Sequence, residues 1–219
     1  VVVIAYILLR GDALSMAATL VGLVIAITVH ECAHAWMANQ LGDPTARYLG
    51  RISLNPLVHL DPMGSVMIVL TSLIGTGIGW GKPTPVNPSR LRYGSRLGNA
   101  IVSLAGPVSN ILVGLVFGLA LRLAFMATLP NWAYDVLFAL VSTNIIIAMF
   151  NLMPIPPLDG FAVLLGLISL IPGRGAWNVY QWLSSLQRYG AFLLLGVIFL
   201  LPFLGLNVVS WWVVPPARL

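Results

Sequence analysis

Apolar residues run along this chain in long blocks separated by short polar, proline- and glycine-rich punctuation, and the block lengths set the expected elements. Residues 13–40 form the first block, about 42 Å if wholly helical at 1.5 Å per residue, which is enough to cross a bilayer core. Gly42, Asp43 and Pro44 end it. From Arg47 to Pro62 polar and apolar residues alternate around Pro56, which predicts a loop with short extended pieces, too polar to face lipid. Met63 to Ile78 is apolar but short, and basic residues flank it: Arg47 and Arg51 before, Lys82, Arg90, Arg92 and Arg96 after. With positive loops kept on the cytoplasmic side, such a segment enters the membrane and returns. Gly98 to Thr128 predicts a long helix, and the Pro130–Asn131 turn makes Ala133 to Leu152 its antiparallel partner.

The prolines of MPIPPLDG (Met153 to Gly160) lack N–H groups and break the helix, and unwound backbone at membrane depth must line a cavity or be buried in protein. Phe161 to Ile171 then reads as a short helix and Ala176 to Arg188 as an amphipathic surface helix. Ala191 to Val214 reads as a last span bent around Pro202, with Trp211 and Trp212 in the interfacial belt. The expectation is an all-α membrane protein, a polytopic bundle of about five to six membrane-inserted helices with a short re-entrant or strand-like loop segment.

Composition agrees. Of 219 residues, 59% are hydrophobic and 8% charged, and the mean hydropathy is +0.96, against roughly 25% charged residues in an average soluble domain. No linker, charged tail or repeat divides the chain, which predicts one integral-membrane domain over residues 1–219 without a separate soluble module. The net charge of +5 is scattered in short loops as topology signals, so no nucleic-acid partner is expected. The single cysteine, Cys32, forms no intramolecular disulfide and reads as a small buried hydrophobe.

The chemistry concentrates at His30-Glu31-Cys32-Ala33-His34, an HExxH pattern inside the first apolar block. Residues four apart on an α-helix differ by about 40° around its axis, so both imidazoles point one way and can share a metal ion. Glu31 lies on the adjoining flank. From there its carboxylate can take the proton of a metal-activated water attacking a carbonyl and deliver it to the leaving amine. An ionisable side chain near the bilayer centre costs roughly 2.5–3.5 kcal/mol on insertion scales, so three within five residues need a compensating purpose, and a shared cation supplies it. A catalytic zinc takes three protein ligands and leaves a position open. The candidates for the third are His59, Asp61, Asp135 and Asp159. Asp159 is favoured, because it follows the proline break and the loop charges bring it to the same membrane side as His34.

HECAH in an apolar helix, followed in order by NPLVHLDPMG, GWGKPTPVNP, AGPVSN and NLMPIPPLDG, resembles the site-2 protease family of intramembrane zinc metalloproteases, in its short type without a PDZ insertion. These motifs run from His30 to Gly160, about 60% of the chain. The resemblance implies one zinc ion held by His30, His34 and Asp159. It also implies that Asn151 sits near the metal, where its amide stabilises the oxyanion of the tetrahedral intermediate. Gly106, Pro107 and Asn110 match the family's GPxxN element and are read as close helix packing and loop anchoring. His59 and Asp61 have no place in that zinc site; for His59, a group supporting the ligands, a substrate contact and a hydrogen-bonded loop histidine all stay open.

The function expected is a zinc-dependent intramembrane endopeptidase that hydrolyses peptide bonds of membrane-spanning substrates through a zinc-activated water, in a multi-pass protein of the prokaryotic cell membrane. A helical substrate hides its carbonyls and must unwind, and the loop from Leu49 to Pro62 is a candidate edge for its extended stretch. The alternatives are a metal-ion transporter or sensor using the same His/Glu/Asp cluster, and a membrane hydrolase of lipid amides.

Overall fold

The computed structural model describes residues 13–73, 81–126 and 129–217. Helix α1 (Ala13–Gln40) is the first long span. It closes on a glycine cap: Gly42 adopts φ 103°, its N–H bonds Asn39 O at 3.2 Å, and the Asp43 N–H bonds Ala38 O at 2.9 Å. Only glycine takes that backbone conformation at little cost, so the chain turns where the sequence signals a stop.

The loop that follows is tied by side chains. A helical turn at Thr45–Tyr48 and a 3-10 turn at Pro56–Val58 interrupt it, so the stretch from Leu49 to Pro62 is not a strand. Asn55 caps the second turn and Pro56 starts it, a combination that favours a turn over extension. Helix α2 (Pro62–Leu73) begins on Asp61, whose carboxylate accepts the Gly64 N–H at 2.8 Å. The remainder of the segment to Ile78 lies outside the described residues. Its two flanks nevertheless meet: Leu60 and Gly81 form an isolated antiparallel bridge, and the Lys82 N–H bonds His59 O at 2.7 Å. Leu60 and Gly81, on either side of that segment, therefore lie side by side.

Helix α3 (Gly94–Met126) and helix α4 (Asn131–Asn151) are antiparallel spans. Tyr134 fastens their turn, with its hydroxyl donating to Ala124 O at 3.0 Å and its ring stacked on Phe125. The expected end of α3 at Thr128 lies outside the described residues. Helices α1, α3 and α4 pack on one another through small residues, among them the fully buried Ala26, Ala38 and Ala148, which let polar side chains face inward. After the proline break comes helix α5 (Asp159–Ser169), packed against α3.

Helix α6 (Arg174–Ser185) is amphipathic as expected, and Arg96 of α3 lies over its Trp177 and Tyr180 rings at 4.3 and 4.8 Å from the ring centroids. The end of the chain departs from expectation. The helical run continues from Arg174 to Phe203 as one segment long and apolar enough to span a membrane. It includes α7 (Gly190–Leu195), a π-helical turn at Gly196–Leu200 and a last turn at Leu201–Phe203. Instead of bending at Pro202 and running on to Val214, it stops. Pro202 cannot donate to the preceding turn, and Gly205 at φ 77° makes a second glycine cap, with the Leu206 N–H on Leu201 O at 2.9 Å. The separate helix α8 (Val208–Ala217) packs Val213 against Leu23 and Ile146, and Trp212 donates its indole N–H to Met149 O at 2.9 Å. Four described helices are long and apolar enough to cross a membrane, and α2, α5 and α8 are shorter apolar helices. The architecture is an all-α bundle without a strand among the described residues.

Candidate metal centre

Helix α1 turns His30 and His34 to the same side, both buried, with ring centroids 4.6 Å apart and planes at 88°. The proline break delivers Asp159, the first residue of α5, onto them. Asp159 Oδ2 lies 3.0 Å from His30 Nε2 and 3.3 Å from His34 Nε2. Donor atoms of these three residues lie within 4.8 Å of one another. Ligands at 2.0–2.2 Å from a tetrahedral zinc are separated by about 3.3–3.6 Å, so two imidazole nitrogens and one carboxylate oxygen at these distances fit zinc in chemistry and spacing. The three residues border a cavity of about 330 Å³, lined also by Glu31, Thr84, Asn99, Ser103 and Asn151 among others.

The opposite nitrogen of each imidazole is spoken for. His34 Nδ1 lies 2.7 Å from Val102 O, which only accepts, so Nδ1 carries the proton. His30 Nδ1 lies 2.7 Å from Asn110 Oδ1. The amide orientation is set by Asn110 Nδ2, which donates to Ala26 O at 2.9 Å and to Asn144 Oδ1 at 3.0 Å, while Asn144 Nδ2 donates to Leu140 O at 2.8 Å. Backbone carbonyls at the ends of both chains of hydrogen bonds thus turn the Nε2 atoms towards the metal position. Gly106 completes the enclosure: a Cβ there would stand 2.5 Å from His34 Nε2 and 2.7 Å from His30 Cε1.

Glu31 is outside the donor cluster, on the flank predicted for it. Its Oε2 accepts the N–H of Thr84 at 2.9 Å and the hydroxyl of Thr84 at 2.7 Å. Asn151 lines the same cavity, and one N–H of its amide is committed to Ile147 O at 2.9 Å on its own helix. The other candidates stay apart from the cluster. His59 is fully buried in the loop layer, with Nε2 donating to Ser53 O at 2.7 Å and Nδ1 unpartnered among the described residues, which is the loop-histidine alternative. Asp61 caps α2, and Asp135 lies near the start of α4 (Asn131–Asn151), at the end of that helix away from Asn151.

Sequence reasoning placed Asn110 in a packing role and passed over Asn144 and Thr84. Two fully buried asparagines in lipid-spanning helices were the available signal, since the cost of unsatisfied polar groups in apolar surroundings applies to amides as well as to charges. For Thr84 the one signal was its place in the GWGKPTPVNP motif, between two prolines, which by itself names no role.

No family model and no solved structure matches the chain. Among curated proteins, a Bacillus subtilis protein named "Putative zinc metalloprotease YwhC" is 37% identical over 186 residues, covering 82% of this chain and 78% of its own length. The Mycobacterium tuberculosis protein named Rip2, with the same zinc metalloprotease description, is 31% identical over 147 residues, 65% of this chain and 54% of its own. An archaeal relative, MJ0611 of Methanocaldococcus jannaschii, is 31% identical over 84 residues, 38% of this chain. With apolar spans, an HExxH helix and a His-His-Asp donor set that fits zinc, the chain belongs to the zinc metalloprotease family that includes YwhC.

Proposed function

We propose that the chain is an intramembrane endopeptidase of the site-2 type, a single multi-pass domain of a prokaryotic cell membrane that cuts membrane-spanning protein substrates. The observation that carries the reading is the convergence of His30, His34 and Asp159 on one point inside apolar helices, with Glu31 and a polar cavity beside it. In a bilayer such a cluster is costly unless it holds a cation and is reached by water.

In this reading His30 and His34 of α1 and Asp159 of α5 hold zinc. When bound, zinc supplies a Lewis acid that polarises the scissile carbonyl and makes water a competent nucleophile near neutral pH. Glu31 takes a proton from the attacking water as the new C–O bond forms, then gives it to the amine nitrogen as the C–N bond breaks, so no net proton stays on the protein. Asn151 has one N–H left after its bond to Ile147 O, and that N–H is the donor available to the oxygen that gains charge. The substrate reaches the cavity unwound, because helical carbonyls are already hydrogen-bonded.

The test pairs two variants in purified, lipid-reconstituted protein. Glu31→Gln keeps zinc and loses cleavage of a membrane-bound substrate, whereas Asp159→Ala loses the zinc itself, read by elemental analysis after dialysis. Wild-type cleavage by Glu31→Gln, or zinc flux into liposomes without cleavage, would sink the protease reading.

A further inference from the structure

We propose that Thr84 is a positioning residue for Glu31: its N–H and hydroxyl grip one carboxylate oxygen, so that the other stays turned to the cavity where the water is deprotonated. The inference rests on Glu31 being the base, as proposed above. Both donors converge on Oε2, at 2.9 and 2.7 Å, and Oε1 makes no hydrogen bond among the described residues. A glutamate side chain loses up to about 1.5–2 kcal/mol of rotamer freedom when it is ordered, so a base at the edge of a cavity does not hold one direction unless something grips it.

The grip is built on rigid backbone. Thr84 stands between Pro83 and Pro85. Proline fixes its own φ and pushes the residue before it into extended conformations, so Lys82 and Thr84 are both held straight. Because proline has no N–H, the Thr84 N–H is the one backbone donor from Pro83 to Pro85, and Glu31 takes it. The strap is anchored on both sides of Thr84. Arg51, buried at 4% exposure, donates to Lys82 O at 3.0 Å, to Pro83 O at 2.9 Å and to Val58 O. The Lys82 N–H is on His59 O, and the Asn87 N–H is on Asp43 Oδ2 at 2.6 Å. Pro83, Thr84 and Val86 also line the cavity, so the strap is both a wall of the reaction space and the mount of its base. The threonine hydroxyl lies 3.1 Å from Glu31 O as well, but a carboxylate is the stronger acceptor for its single proton.

The experiment uses the full chain in lipid. Thr84→Val keeps shape and N–H but removes the hydroxyl; it should lower kcat about ten-fold, the loss typical of one hydrogen bond to a charged group, with KM and zinc content within about two-fold of wild type. Thr84→Ser, which restores the hydroxyl, should recover most of that loss. A Thr84→Val variant with unchanged kcat would overturn the proposal, as would a change confined to KM or zinc content, or a serine variant no better than valine. Backbone amide exchange provides a readout independent of turnover and of whether the valine variant folds. Within Pro83–Pro85 only Thr84 has an amide to report, and it should exchange slowly in wild type and markedly faster in Glu31→Ala; equal rates refute the grip. The two readings fail separately. Full turnover by Glu31→Gln removes the base itself, whereas a dead Glu31→Gln beside a fully active Thr84→Val removes only the role of Thr84.

Discussion

Replacing Gly106 by alanine adds a single methyl group in the wall of the metal centre, and its consequence follows from three distances. The new carbon would lie 2.5 Å from His34 Nε2, 2.6 Å from His34 Cε1 and 2.7 Å from His30 Cε1, whereas ordinary contacts begin at 3.4 Å. At least one imidazole must retreat by about 0.9 Å, several times the roughly 0.2 Å tolerance of a zinc–ligand bond. Neither ring is free to go, since His34 Nδ1 is held by Val102 O and His30 Nδ1 by the fully buried Asn110. Misplacement of about 1 Å at a catalytic group costs on the order of 100-fold, and zinc affinity should fall by at least a comparable factor. The local helix argues the other way, because alanine is better than glycine in a helix interior by about 0.5–1 kcal/mol. Gly118 of the same helix meets nothing within 4 Å of its would-be Cβ, so Gly118→Ala is the matched control and should be neutral or slightly stabilising. The assay is zinc affinity by chelator competition alongside thermal unfolding in detergent. Wild-type zinc affinity in Gly106→Ala would refute the placement of that glycine against both imidazoles.

Further outcomes follow from the same geometry. Asn110→Leu strips the partner from His30 Nδ1 and from Ala26 O; zinc affinity should drop about 10–100-fold, with chelator competition again the measure. Asp43, outside the spans, reports on pH. Burial pushes its pKa up, but the hydrogen bonds from Thr45 and Asn87 and the charge of Arg90 outweigh it and hold the carboxyl below its ordinary 3.8. A depressed carboxylate pKa contributes stability that is fully present above the ordinary value and is lost as pH falls through the lowered one. Asp43→Asn should therefore reduce stability at neutral pH and flatten the acid side of the unfolding curve below about pH 4, and an unchanged acid limb would count against the role of Asp43 as the pin between α1 and the strap.

Much of the architecture is local and was legible in residues. Block length and proline or glycine stops set the spans: α1, the turn at Pro130 and the break before Asp159 all lie where the pattern puts them. The last span was misread because Pro202 alone suggests a kink, whereas with Gly205 three residues later it terminates the helix. The Arg47 to Pro62 stretch is the loop expected of it, but Asn55-Pro56 puts a capped turn where the alternation of polar and apolar residues suggests an extended piece.

What the sequence by itself determined is what each helix presents: a four-residue spacing puts His30 and His34 on one side whatever surrounds them, and Glu31 beside them. The proline break and loop charges favoured Asp159 over His59, Asp61 and Asp135, but tertiary structure brought it onto the histidines and decided that Asn110 and Thr84 grip His30 and Glu31. Those pairings span 129, 80 and 53 residues. Helical periodicity repeats within a turn and fixes direction along one element. Which side chains come within 3 Å across elements depends on how rigid helices and a stiffened strap are packed, and no local pattern encodes that.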